Sequence, residues 1–186
     1  MKLGYNSDHL DDQPTFEYAV VIPLPEHLNE IIDPVRRRFD PDHHVIGAHV
    51  TVVFPFRSRR PVDEVALVVR KVTESIPAIA VSLSSIGDFY PIFPLIYWGV
   101  NRDNTLDELY KNLYASLDLA LPHKLFIPHV TVAREISAHR VVWVKEQIVP
   151  YLPDESFMAT SVDLIAPVAG QKWVAVQNFP LRSPLT

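Results

Sequence analysis

The chain has 186 residues, 48% of them hydrophobic, a formal net charge of −5 and no cysteine. This length and composition predict one domain, or two small lobes, with a buried core. The lack of cysteine excludes disulfides, thiolate nucleophiles and cysteine-ligated metal sites. The negative charge argues against extended electrostatic binding of long nucleic acid, because such binding needs many lysines and arginines facing the phosphates.

Residues 1–15 are polar and acidic, and they show neither the basic region nor the apolar region of a signal peptide. No later apolar run approaches the length of a membrane span. We therefore expect a flexible N-terminal tail over 1–15, a single domain over 16–186, and a cytoplasmic protein without a membrane partner.

Prolines and glycines divide the first hundred residues into alternating strands and helices. The predicted strands are Tyr18–Ile22, His49–Phe54, Ile79–Ser85 and Leu95–Val100. The predicted helices are Glu26–Phe39 and Val62–Ser75, and the second has apolar residues at helical spacing. Between these elements, Asp40–His44 is a predicted turn and Phe89–Pro94 an aromatic, proline-broken loop.

The second half of the chain repeats this order of elements. One predicted helix runs from about Thr105 to Leu121. A second begins after Ser137, its predicted N-cap, and ends at about Val149. The predicted strands are one that carries His129, then Ser161–Ala166 and Lys172–Val176. This order predicts an α+β fold that is bilobal and pseudo-duplicated, each lobe an antiparallel sheet with helices on its outer face.

The tetrapeptide His-Val-Thr-Val occurs twice, at His49–Val52 and at His129–Val132. Side chains alternate along a strand, so the histidine and threonine of each copy share one face and the valines point into the core. If the two strands are neighbours, both histidines face one groove together with Thr51 and Thr131. Two histidines can act as general acid and base, and two hydroxyls can bind an anion.

Metal binding is the other function that paired histidines suggest, because imidazole is a common metal ligand. A third ligand is hard to name, since Asp42, His43 and His44 lie in a predicted turn and are expected to be solvated. Threonine is a poor zinc ligand, so the paired threonines favour phosphate binding. We expect neither a metal nor another cofactor.

Two groups of arginines are candidates for a local basic patch. Arg36 to Arg38 fall at the end of a predicted helix, where a solvated helix face is expected. Arg57, Arg59 and Arg60 follow the first motif. Arg57 is either a solvated loop residue or a substrate contact, and its proximity to the motif keeps it among the candidate substrate-binding residues.

The doubled motif, in Gly47–Phe54 and again in Phe126–Arg134, resembles the 2H phosphoesterase superfamily. The branch it resembles most is the group named after 2′-5′ RNA ligase and RNA 2′,3′-cyclic phosphodiesterase. In element order the resemblance covers most of the chain from Tyr18 to Leu181. It implies a bilobal pair of α+β halves whose central strands line a groove, and an acid–base reaction on a cyclic phosphate without metal.

Carried over to this sequence, the resemblance makes His49 and His129 the acid–base pair and Thr51 and Thr131 the phosphate-binding hydroxyls. It also implies that Arg134 contacts phosphate. Strict alternation along the strand places Arg134 on the face opposite the motif residues, so this contact requires the strand to end or twist first.

The resemblance thus implies hydrolysis of 2′,3′-cyclic phosphate ends of RNA or nucleotides, for which one neutral and one charged imidazole would serve as base and acid. Run in reverse, the same groups would join a cyclic phosphate end to a 5′-hydroxyl, which is the 2′-5′ RNA ligase alternative. A phosphodiesterase for a small nucleotide metabolite and a non-catalytic nucleotide or RNA-end binding module also remain open. Aromatic side chains would stack on the base; the candidates are Phe56, Phe89, Tyr90 and Trp173, with core packing the alternative for each.

Overall fold

The computed structural model describes residues 14–168 and 172–183. Its strands are β1 (Phe16–Pro23), β2 (His49–Ser58), β3 (Ile79–Asp88), β4 (Leu95–Val100), β5 (His129–Arg134), β6 (Glu155–Ala159), β7 (Ser161–Pro167) and β8 (Trp173–Pro180). Its α-helices are α1 (Glu26–Phe39), α2 (Val62–Thr73), α3 (Asn104–Ser116) and α4 (Val141–Ile148), with short 3-10 turns at Ala138–Arg140 and Val149–Tyr151. The predicted tail over 1–15 lies outside the described residues except for its last two positions.

The described strands form one antiparallel sheet in the order β6-β3-β4-β5-β2-β1-β7-β8. The two motif strands, β2 and β5, lie at its centre and meet where Val50 pairs with Val130. The pseudo-duplicated α+β fold expected from the sequence is confirmed. The halves of the sheet are not the two halves of the chain, however, because β3 and β4 extend from β5 while β7 and β8 return to β1.

The helices cover one face of the sheet. Val50 and Val130 belong to the same buried cluster as Leu28 of α1, Leu109 of α3 and Val144 of α4. In α1 the apolar residues recur at helical spacing, so that one stripe is buried while the rest of the helix faces solvent. Because side chains alternate along a strand, packing the valines against the helices leaves the motif histidines and threonines on the opposite, open face.

The predicted C-terminal end of α3 lies too far along the chain. The helix ends at Ser116 and does not reach Leu121. Asp118 adopts a left-handed conformation with a φ of 59°, and the Leu119 N–H donates to the Tyr114 carbonyl at 2.9 Å. This hydrogen bond closes the last turn in the manner of a Schellman motif, so the helix stops before Pro122.

Two further differences lie in the last third of the chain. Ser137 precedes a 3-10 turn and makes no side-chain capping hydrogen bond, and the α-helix begins only at Val141. β6 was not predicted, because this strand at the edge of the sheet has mostly exposed or half-buried residues and no apolar run. In the described part of the chain, no helix is both long and apolar enough to cross a membrane.

Candidate active site

The central pair of strands brings the four motif side chains together. β2 and β5 are antiparallel and Val50 faces Val130, so the register sets His49 across from Thr131 and Thr51 across from His129. All four side chains line one open groove with a cavity volume of about 690 Å³. The structure therefore places the two histidines and two threonines in one site.

Both histidines are oriented by the same backbone hydrogen bond. His49 Nδ1 donates to the Gly47 carbonyl and His129 Nδ1 donates to the Ile127 carbonyl, each at 2.7 Å. A carbonyl can only accept, so each Nδ1 carries the hydrogen. Nε2 is consequently the nitrogen of each ring that can exchange a proton with a bound molecule.

The surroundings of both histidines favour the neutral imidazole. Burial lowers the pKa of His49 to about 4, against the opposing effect of its bond to Gly47, and the positive charges of Arg36 and Arg134 lower it further. Burial also lowers the pKa of His129, with the bond to Ile127 opposing and Arg134 adding to the decrease. His49 faces more neighbouring positive charge than His129, so it is the harder of the two to protonate.

A β-bulge brings Arg134 to the groove. β5 pairs Ala133 with Ile96 but Thr131 with Tyr97, so Val132 is an extra residue that shifts the alternation by one. The bulge resolves the conflict between strict alternation and the implied phosphate contact, since the Arg134 side chain lines the groove with the motif residues.

β2 has the corresponding bulge. Thr51 pairs with Val21 and Val53 with Val20, which leaves Val52 as the extra residue. Phe54 then occupies the position that Arg134 has in β5, and it also lines the groove. The two motif strands therefore have a bulge at the same position. The site is asymmetric because β5 places an arginine where β2 places a phenylalanine.

Arg134 belongs to a network of four charged side chains. Its Nη1 donates to Asp42 Oδ2 at 3.1 Å, and its Nε lies 3.7 Å from Asp40 Oδ1. Arg36 donates to Asp40 Oδ2 through Nε at 3.1 Å and Nη2 at 2.9 Å. The solvated face predicted for Arg36 is wrong, because this side chain is 3% exposed and paired with a carboxylate that is fully buried.

The loop that carries Asp42 is tied down at several points. The Asp42 N–H donates to Asp40 Oδ1 at 3.1 Å, and Arg36 Nη2 donates to the Ile46 carbonyl at 2.9 Å. The Trp173 N–H donates to the Val45 carbonyl at 2.9 Å, which joins the loop to β8. Asp42 was expected to be a solvated turn residue; it is half-buried and lines the groove beside Arg134.

Aromatic rings surround His129 on one side. Phe89 meets its ring edge-on with centroids 5.0 Å apart, and the Tyr97 centroid lies 5.2 Å away. Tyr97 pairs across the strands with Gly87, where a Cβ would collide with the tyrosine ring. Glycine is therefore needed at position 87 for Tyr97 to reach His129.

The remaining sequence candidates fall in different places. Trp173 is half-buried and packs beside Ala19, Val21 and Ile165, forming an apolar wall of the groove. Phe56, a candidate substrate contact, lies outside the groove, because its ring packs against the core with its centroid 5.9 Å from that of Tyr18. Arg57 is exposed and lines an adjoining cavity of about 520 Å³.

Tyr90 is exposed in the loop after β3 and is not among the residues of the groove. Two groove residues that the sequence did not single out are Glu17 and Phe54. Glu17 belongs to no recognisable motif. Phe54 was not predicted to face the groove, because the bulge at Val52 that turns it there cannot be seen in the sequence. Within the described residues, no three His, Asp or Glu side chains cluster as metal ligands would.

The two motif strands are paired at the centre of one antiparallel sheet, as the resemblance to the 2H phosphoesterases implied. Residues 23–171 match the family model described as the 2′-5′ RNA ligase superfamily, and the chain belongs to this superfamily. The resemblance seen in the sequence is thereby confirmed.

Similar proteins are found in both sequence and structure. “Putative phosphoesterase GK0864” of Geobacillus kaustophilus (strain HTA426) is 26% identical over 167 residues, covering 88% of this chain and 95% of its own. A protein of the same general name from Bacillus pumilus (strain SAFR-032) is 30% identical over 122 residues, covering 65% of this chain and 71% of its own. E. coli LigT complexed with 3′-AMP superposes with a TM-score of 0.68 at 16% identity, over 90% of this chain and 99% of that one.

Proposed function

We propose that the protein is a phosphoesterase that hydrolyses 2′,3′-cyclic phosphates of RNA ends or nucleotides, without a metal, by acid–base catalysis between His49 and His129. The observation that carries this proposal is the matched pair of imidazoles. Each is anchored through Nδ1 to a backbone carbonyl two residues earlier and faces the same groove through Nε2. Membership of the 2′-5′ RNA ligase superfamily and the naming of relatives as phosphoesterases support it.

The phosphate would be held between the two motif strands. Thr51, Thr131 and Arg134 line the groove with the histidines and supply hydroxyl and guanidinium donors for the non-bridging oxygens. The apolar wall with Trp173 offers a flat surface for the base. LigT, which shares the fold, has been crystallised with 3′-AMP and with phosphate, in keeping with a groove of this kind that accepts nucleotides.

The environments of the two histidines suggest which is base and which is acid. His49, near the positive charges of Arg36 and Arg134, stays neutral more readily, so its Nε2 would take a proton from the attacking water. The water oxygen bonds to phosphorus as the bond to one ribose oxygen breaks. His129, protonated at Nε2, would give its proton to that oxygen and leave a phosphomonoester. A bound phosphate anion favours the charged form of His129.

The decisive experiment is a substrate panel in the presence of EDTA. Cyclic mononucleotides, a short RNA with a 2′,3′-cyclic phosphate end, and the same RNA with a 5′-hydroxyl acceptor would be compared by product analysis. Phosphomonoester products support the proposal, and joined strands support the ligase alternative. Binding of the panel without turnover would support a non-catalytic module instead. Turnover of cyclic mononucleotides but not of RNA would restrict the proposed activity to small nucleotides.

A further inference from the structure

The groove holds little net positive charge although it is proposed to bind a phosphate. Of its charged lining residues Arg134 is positive, while Asp42 and Glu17 are negative. Behind Arg134, the buried pair of Arg36 and Asp40 is balanced. His49 and His129 both have lowered pKa values and add little charge near neutral pH.

Asp42 is the carboxylate that meets Arg134 in the groove itself. Its Oδ2 accepts from Arg134 Nη1 at 3.1 Å, and its backbone N–H is bonded to the buried Asp40 carboxylate. The loop backbone is also fixed through Val45 and Ile46, and the ion pair with Arg134 holds the Asp42 side chain in the groove. Its negative charge therefore remains beside any phosphate that Arg134 contacts.

The proposed reaction changes the charge of the bound group. A cyclic phosphodiester carries one negative charge, whereas its phosphomonoester product carries close to two above pH 6. A fixed neighbouring carboxylate repels a dianion twice as strongly as a monoanion at the same place.

We propose that Asp42 is a specificity-determining residue, whose charge offsets Arg134 so that the groove retains the singly charged diester and releases the doubly charged monoester. This inference rests on the proposed function. It assigns Asp42 a role in product release that its ion pair alone would not suggest, since a purely structural partner of Arg134 would not discriminate between ligand charges.

Asp42→Asn tests the role of charge, because asparagine is close in shape and its amide oxygen can still accept from Arg134. Calorimetry at pH 7.5 would measure binding of 3′-AMP and of a singly charged diester that lacks a cyclic phosphate, the dinucleotide ApA. We expect 3′-AMP to bind about tenfold more tightly and the diester no more than about threefold. At pH 5, where 3′-AMP carries about one charge, the gain for 3′-AMP should shrink to that of the diester.

Asp33→Asn is the matched control, because Asp33 forms an exposed ion pair with Arg37 on α1, away from the groove. It should change neither affinity. Asp42→Glu should keep the wild-type ratio of affinities, and Asp42→Ser provides a second neutral variant if asparagine is not tolerated. Equal tightening of both ligands, or no tightening, in a folded neutral variant overturns the inference. These measurements need no turnover, so an inactive wild type would count against the proposed function alone.

Discussion

His49 should make the protein less stable in acid, because its half-buried imidazole lies where a proton is unfavourable. Its pKa is lowered to about 4, against an ordinary value of 6.5. Between these two values the unfolded chain binds a proton at this position and the folded chain does not, so the free energy of unfolding decreases as pH falls from 6.5 to 4. Above pH 6.5 the effect is absent.

The size of the effect follows from the difference between the two values. Each pKa unit corresponds to about 1.4 kcal/mol, so the full loss below pH 4 is about 3 kcal/mol. At pH 5.5, where the fold is more easily kept intact, the loss from His49 is about 1 kcal/mol. His49→Gln removes the titrating group, and we expect this variant to lose about that much less stability between pH 7.5 and pH 5.5.

Urea denaturation of both proteins at the two pH values measures this difference. His27→Gln is the control, because His27 is exposed on α1 and its substitution should leave the wild-type pH dependence unchanged. Only the change between pH values is compared, so any loss of the Gly47 hydrogen bond cancels. Parallel pH dependence in wild type and His49→Gln would refute the proton-excluding environment of His49.

Three further predictions concern the groove. Arg134→Gln should lower kcat/KM for a cyclic nucleotide by about 10²–10³-fold, since a preorganised donor to the phosphate is lost; a loss under threefold in steady-state assays would place Arg134 outside the phosphate site. The pH profile of kcat/KM should be bell-shaped with its optimum below pH 6.5, because both histidine pKa values are lowered. An optimum above pH 8, measured in buffers of constant ionic strength, would contradict the assignment of His49 and His129 as base and acid. Gly87→Ala should displace the Tyr97 ring from His129 and destabilise the fold by about 1–3 kcal/mol with a fall in kcat; unchanged urea denaturation and activity would show that the ring is not constrained by position 87.

The sequence was sufficient for the parts of the molecule that depend on local pattern. The bounds of α1 and β4 agree with prediction residue by residue, because proline and a regular apolar spacing mark their ends. The motif strands were identified from their histidines and threonines, whereas their central place in the sheet was implied by the family resemblance alone. Long-range pairing has no local signature, and for this reason the exchange of strands between the two parts of the chain was not foreseen.

The parts of the site that the sequence did not reveal depend on backbone irregularity and on tertiary packing. The bulge at Val132 redirects Arg134, yet the residues around it read as an ordinary alternating strand. Likewise, nothing in a turn of the composition Asp-Pro-Asp-His-His shows that Asp42 faces an arginine 92 residues away. Arg36 was misplaced because its burial depends on Asp40, which sits on the helix C-cap and folds back toward it.

The most direct test of the two-histidine account is hydrolysis of 2′,3′-cyclic AMP in EDTA by wild type, His49→Asn, His129→Asn and the double variant, with His27→Asn as control. General acid–base catalysis typically contributes 10²–10⁴-fold, so each single variant should lose at least about a hundredfold in kcat. Because the two groups act as a unit, the double variant should be little worse than either single one. Folded single variants that keep activity within about tenfold of wild type would contradict the account.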